Sequence, residues 1–149
     1  MSREVVGRPM EILLVEDNLE DAGLAIQALR EGGLECRISL VRDGAEALEF
    51  LHQRGIYARA PKPDLILLDL YLPKKDGREV LAEIRADEHL RPLPVVVLTA
   101  SKVHEDILRQ EQLAVQGYMV KPVDLPKFIA VVKQLRQFWL KEVILPPLD

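Results

Sequence analysis

The sequence predicts a doubly wound parallel α/β sheet of five strands, and three observations predict it. Short apolar runs without polar alternation recur at Glu11–Val15, Leu65–Leu68 and Pro94–Leu98, as suits strands covered on both faces. Each is followed by a stretch whose apolar residues recur at helical spacing, and such alternation implies a parallel sheet with right-handed crossovers. The runs also end on polar residues, Glu16-Asp17, Asp69 and Thr99. Those positions fall at the carboxyl ends of strands, where open α/β sheets gather ligands and chemistry.

Residues 1–9 are polar, with a glycine and a proline, and read as a loose lead-in to one domain over residues 10–140. Glu11–Val15 is the first strand. Asn18 or Asp17 can cap the helix after it, which carries Ala22, Ala25, Ile26 and Leu29 inward and stops at Gly32-Gly33. Cys36–Val41 is a weaker second strand. Asp43-Gly44 opens a second helix with Ala45, Leu48 and Leu51 on one face, closed near Gly55. A loop over Gly55–Pro63 leads into the strand Leu65–Leu68, which ends on Asp69. Asp76-Gly77 starts a third helix with Val80, Leu81 and Ile84 inward. Pro94–Leu98 is the fourth strand, followed by a helix over 103–113, and Gly117–Val120 is a short fifth strand ending on Lys121-Pro122. Asp124 caps a last helix with a stripe of Phe128, Val132, Leu135 and Phe138 or Trp139, and a C-terminal tail fills 141–149, apolar over Val143–Pro147. Five strands in this rhythm suit the flavodoxin-like order 2-1-3-4-5, whose switch point lies between strands one and three.

Composition narrows the function classes. A chain of 149 residues is enough for one full core. A net charge of −4 does not favour a nucleic-acid surface. One cysteine, Cys36, excludes an internal disulfide and a cysteine-based zinc cluster. No apolar signal region and no membrane-length run stands out, so the expectation is a cytoplasmic protein without membrane contact. His52, His89 and His104 are scattered without metal spacing.

The strand ends form a constellation. Neighbouring strands lie about 4.8 Å apart, so Glu16, Asp17 and Asp69 would crowd one crevice. Carboxylates this close repel and raise one another's pKa unless a cation joins them. Magnesium prefers a few carboxylate oxygens and leaves room for phosphate oxygens. Asp69 would then act as a nucleophile that forms an acyl phosphate. Lys121 would pair with a phosphate oxygen and Thr99 would donate a hydroxyl hydrogen bond to another. Taken singly, each has an ordinary reading. Asp69 could cap a strand end, Glu16-Asp17 could start a helix, Thr99 could be a plain β-branched residue and Lys121 a solvated charge. The coincidence of all five at strand ends favours the site.

In these residues the chain resembles the receiver domains of two-component response regulators. The matching strings are LLVED at 13–17, LILLDLYLPKKDG at 65–77, VVLTAS at 96–101 and GYMVKPV at 117–123. The loop GIYARAPKP, the string LPKKDGREVLAEI and the ending FWLKEVILPP resemble more narrowly the small regulators paired with phytochrome-type histidine kinases. The resemblance implies Asp69 as phosphoacceptor, Asp17 as a direct magnesium ligand and Glu16 as its partner through water. It implies the backbone carbonyl of Tyr71 as a further metal ligand, and Thr99 and Lys121 as the phosphate-contacting pair. Tyr118 falls on an aromatic switch that turns inward as the hydroxyl residue moves, against the plainer reading of a half-buried strand tyrosine. The Lys121–Pro122 bond is cis in the family. Two departures stand out: Glu16-Asp17 replaces the commoner Asp-Asp, and bulky Tyr71 occupies a position that tunes phosphate lifetime.

The resulting expectation is a single-domain regulator, not an enzyme beyond its own phosphorylation and dephosphorylation. Its partner would be a sensor histidine kinase, phytochrome-type by the narrower resemblance. The last helix and tail either form a homodimer contact or fold back on their own core. The alternative is a degenerate receiver that is never phosphorylated and serves as an interaction scaffold. A magnesium-dependent phosphatase is disfavoured because no acid stands two residues after Asp69. A nucleotide binder is disfavoured because no glycine-rich loop follows the first strand.

Overall fold

A computed structural model describes residues 8–31, 35–70, 72, 74–99, 115–121 and 123–134. Five parallel strands form one sheet in the order β2-β1-β3-β4-β5: β1 is Met10–Val15, β2 Cys36–Val41, β3 Leu65–Asp69, β4 Val95–Thr99 and β5 Gly117–Val120. The helices are α1 (Leu19–Glu31), α2 (Gly44–Leu51), α3 (Gly77–Ala86) and α4 (Leu125–Gln134). The expected helix over 103–113, Gly32-Gly33, Pro122 and everything from Leu135 onward, the tail included, lie outside the described residues.

The sheet is apolar on both faces, which explains why its strands do not alternate. One face carries Ile12, Leu14, Leu65, Leu67, Val96 and Leu98 against Ala22, Ala25 and Leu29 of α1 and Phe128 of α4. The other carries Leu13, Val15, Ile66, Leu68, Val95 and Val97 against α2 and α3. Each helix start is fixed by a side-chain acceptor in the way an N-cap requires. The N–H of Asp21 donates to Asn18 Oδ1 (3.0 Å), that of Glu46 to Asp43 Oδ1 (2.7 Å) and that of Arg78 to Asp76 Oδ1 (2.9 Å). Lys127 donates to Asp124 Oδ1 at 3.2 Å.

Two expectations need correcting in α2. Its buried face is Ala47, Leu48, Phe50 and Leu51, whereas Ala45 is exposed. Leu48 and Leu51 fit either register, and the bulk of Phe50 turns the helix so that Ala47 goes inward. The helix also ends at Leu51, before Gly55: Gln53 takes a φ of 53°. Gly55–Tyr57 then makes a single 3-10 turn. Tyr57 packs its ring against Phe50 at 5.2 Å and donates its hydroxyl to Glu46. Burial and that carboxylate push the Tyr57 phenol up to about 12.

The register aligns the carboxyl ends. Val15 pairs with Leu68, Asp69 with Leu98 and Thr99 with Val120. The residues immediately after β1 and β5 therefore emerge beside the last residues of β3 and β4.

The amino end of the sheet is closed by a pair with no motif in the sequence. Asp64, 2% exposed, accepts from both guanidinium nitrogens of Arg8 at 2.7 Å and from the Glu11 N–H at 2.8 Å. Removing Arg8 takes the counter-charge from a buried carboxylate that keeps its bond from the Glu11 N–H, and losing one partner of a buried pair costs up to about 3–5 kcal/mol in a dry interior. The Arg8 side chain is 43% exposed, so water screens part of this, and Arg8→Ala should lower stability by about 2 kcal/mol. A urea unfolding midpoint equal to the parent's would show that water replaces the guanidinium.

Candidate functional site

The aligned strand ends build an acidic crevice around one ammonium group. The Glu16 N–H continues the sheet by donating to Val41 O at 3.0 Å, which turns its side chain back into the fold at 1% exposure. Asp69 closes β3 at 3% exposure. Lys121, directly after β5, crosses over both. Its Nζ lies 2.7 Å from Glu16 Oε2, 2.9 Å from Asp69 Oδ2 and 3.0 Å from Asp21 Oδ2. Asp17 is half-buried, and its carbonyl accepts from the Arg42 guanidinium at 3.0 Å, so the end of β2 steadies the loop after β1.

Burial sets the electrostatics. It pushes the Glu16 carboxyl up, and neighbouring Asp69 pushes further. Hydrogen bonds from Lys121 and the Asn18 N–H pull the other way, and the result is a value of about 7. Burial also disfavours the charged form of Lys121, but its contacts with Glu16, Asp69 and Asp21 outweigh that and raise its pKa above the ordinary lysine value. The ammonium is therefore fully charged at neutral pH, and the acidic crevice holds a shared excess of negative charge.

That excess suits a cation. One oxygen from each of Glu16, Asp17 and Asp69 lies within 4.8 Å of the others, and among the described residues this is the one cluster of His, Cys, Asp or Glu with such a geometry. An all-carboxylate set fits a hard divalent ion such as magnesium or manganese rather than zinc or copper. His52 and His89 stand elsewhere, lining a cleft of about 470 Å³ with Lys62, Asp87 and Leu93 at the amino ends of β3 and β4.

The predicted residues thus fall together in part. Glu16, Asp17, Asp69 and Lys121 share the crevice. Thr99 ends β4 beside them in the sheet. Tyr118 is half-buried on the face covered by α2 and α3. Tyr71, expected to give a backbone ligand, lies outside the described residues. Two residues that the sequence reading passed over belong to the same neighbourhood: Arg42, and Asp21 on α1. Asp21 stands in the first turn of α1, just after the acidic end of β1, and that closeness in sequence is the one signal that could have found it. Arg42 has no such signal, because its contact is to a backbone atom.

Comparison with known proteins agrees with this fold. A family model described as the response regulator receiver domain matches residues 12–133. Response regulator Rcp1 of Synechocystis sp. is 44% identical over 138 residues, covering 93% of this chain and 94% of that protein. The structure of the bacteriophytochrome response regulator AtBRR superposes with a TM-score of 0.82 at 38% identity, covering 95% of this chain and 99% of that one. The phosphorylated cyanobacterial phytochrome response regulator RcpA gives a TM-score of 0.70 at 47% identity over 93% of this chain and 99% of its own. A manganese-bound form of Rcp1 has also been solved, with a TM-score of 0.71 at 44% identity over 93% of this chain and 100% of that one.

Proposed function

The chain belongs to the response regulator receiver domain family, and from that premise we propose that it is a phosphorylation-switched signalling protein whose phosphoacceptor is Asp69. The observation that carries the proposal is the crevice itself: a buried carboxylate at the end of β3, 2.9 Å from the Lys121 ammonium and clustered with Glu16 and Asp17.

A carboxylate oxygen of Asp69 attacks phosphorus, the bond from phosphorus to the donor's nitrogen or oxygen breaks, and an acyl phosphate forms with the donor leaving on its own electron pair. Lys121 is already charged and needs no proton transfer to meet an incoming phosphoryl oxygen. Thr99 supplies a hydroxyl hydrogen bond from the neighbouring strand end, and Tyr118 follows it as a switch. Glu16, Asp17 and Asp69, with the Tyr71 carbonyl, are the residues that would hold magnesium, which when bound screens the charge between nucleophile and phosphoryl group. The manganese-bound state of Rcp1 supports a divalent ion here.

The donor is the phosphohistidine of a sensor kinase. The likeness to AtBRR, Rcp1 and RcpA supports a phytochrome-type kinase. The reading places the protein in the cytoplasm, with no nucleic-acid partner or separate enzymatic turnover, and leaves the last helix and tail as either a homodimer contact or a segment folded on its own core. Among the described residues no helix is long and apolar enough to cross a membrane.

The test is native mass spectrometry after treatment with acetyl phosphate and magnesium, with Asp69→Asn beside the parent. One phosphoryl adduct on the parent and none on the variant is the expected result, and the same spectrum gives the subunit number. A parent that binds magnesium yet takes no phosphoryl group, from acetyl phosphate or from a cognate kinase, would replace this reading with a constitutive scaffold.

The raised Glu16 value makes the metal affinity pH-dependent. A divalent ion competes with the proton on Glu16, so magnesium affinity should fall about tenfold for each pH unit below 7. In metal-free protein the linkage runs with the opposite consequence. A folded-state carboxyl raised from its ordinary value to about 7 stabilises the fold at low pH, and that contribution is lost as pH rises through 7. Calorimetric titrations with magnesium at pH 5.5, 6.5 and 7.5 check the slope, and a flat profile would place Glu16 outside the metal set.

A further inference from the structure

We propose that Asp21 is a positioning residue for Lys121, tethering its ammonium from α1 so that it meets the phosphoryl group on Asp69 in one orientation. The inference rests on the phosphoacceptor reading above and adds a residue to it.

An ammonium carries three N–H donors. Among the described residues, carboxylates of Glu16, Asp69 and Asp21 face the Lys121 ammonium at 2.7, 2.9 and 3.0 Å. The three contacts are not equivalent. Glu16 and Asp69 belong to the cluster that can hold a metal, and Asp69 is the nucleophile itself. Both carboxylates change their partners when a phosphoryl group arrives. Asp21 is outside that cluster, so its contact is the one that can persist from the free to the phosphorylated state.

Asp21 is also well placed to be a fixed point. Its own N–H is held by the Asn18 cap at 3.0 Å, in the first turn of α1. The helix packs through Ala22, Ala25 and Leu29 onto the sheet that carries Asp69. Lys121, by contrast, reaches the site on a flexible four-carbon stem. Beside it opens a cavity of about 200 Å³ lined by Glu16, Asp21, Leu24, Leu98, Lys121 and Val123. Without the tether, the lysine has room to swing into that space and away from the phosphoryl group. The loss is one of orientation, which governs how fast bound groups react.

The test is the rate of phosphoryl uptake from saturating acetyl phosphate at saturating magnesium, followed by mass spectrometry. Asp21→Asn keeps the shape and removes the charge. Its rate should fall about fivefold or more, while magnesium affinity by calorimetry stays within about threefold because Asp21 is outside the metal set. In a Lys121→Met background, followed over a longer time course, Asp21→Asn should cause no further loss, since residues acting through one contact are not additive. A rate equal to or above the parent's overturns the proposal, the faster rate marking Asp21 as a competitor for the ammonium. A full additional loss in the Lys121→Met background overturns it as well, because the effect would not pass through the lysine. A parent that takes no phosphoryl group removes the phosphoacceptor reading and this inference together. A parent that labels beside an unchanged Asp21→Asn removes the inference alone.

Discussion

In metal-free buffer, Asp69→Asn should unfold at a higher temperature than the parent, by roughly 5 °C. The variant that abolishes the proposed function is thus expected to be the more stable protein. Asp69 and Glu16 are 3% and 1% exposed; with Asp21 they face the ammonium of Lys121, and Asp17 adds a further carboxylate to the cluster. Burial raises the Glu16 carboxyl and Asp69 raises it further, and even with Lys121 and the Asn18 N–H opposing them it stands at about 7. Asparagine keeps the shape of the side chain and can still accept from Lys121, but brings no charge into the crevice. Replacing a buried charge by a neutral group of similar volume is often stabilising, here by about 2 kcal/mol. A lower melting temperature for the variant would mean that the Asp69–Lys121 pair stabilises more than the crowding destabilises. Millimolar magnesium should reverse the order, because the parent binds it better and gains stability by mass action. Differential scanning calorimetry in chelator and in magnesium gives both comparisons.

The same crevice explains what could and could not be read in the sequence. The strands were legible because burial on both faces leaves no reason for alternation, and β1, β3 and β4 each carry a continuous apolar run, Ile12–Val15, Leu65–Leu68 and Val95–Leu98. Glu16, Asp69 and Lys121 were legible because each stands where an apolar run ends, and a parallel sheet in the order β2-β1-β3-β4-β5 brings those ends together. Asp21 was not, because it lies inside an amphipathic helix, where an acid in the first turn already has an ordinary explanation. The Arg8–Asp64 pair was hidden for a different reason: its partners are 56 positions apart and neither belongs to a motif. The rotation of α2 was lost because Ala45 and Ala47 are chemically identical, so only the packing of Phe50 decides between them.

Glycines at Asp-Gly steps read in sequence as helix starts, yet their stronger reason is close approach. Gly77→Ala should lower stability by about 3 kcal/mol, roughly 10 °C in melting temperature, and should slow phosphoryl uptake as well. A Cβ at Gly77 would stand 2.5 Å from the carbonyl oxygen of Asp69 and 2.6 Å from Cα of Leu70. Its N–H donates to Leu70 O at 3.0 Å, so the helix start and the end of β3 are bonded back to back. Alanine favours a helix over glycine by about 1 kcal/mol, but that gain is smaller than the cost of an overlap with backbone. The strain can relax only by moving residues 69 and 70, which displaces the proposed nucleophile. Gly44→Ala is the control. Its Cβ would overlap the carbonyl of Lys75 and lie 2.8 Å from that residue's carbonyl carbon. It should destabilise to a similar extent, with the displacement falling on the loop between β3 and α3 instead of on Asp69. Compared below both melting temperatures at equal magnesium, Gly77→Ala should take up phosphoryl groups more slowly than Gly44→Ala. Equal rates would show that the end of β3 yields without moving the carboxylate, and would leave Gly77 with a folding role alone.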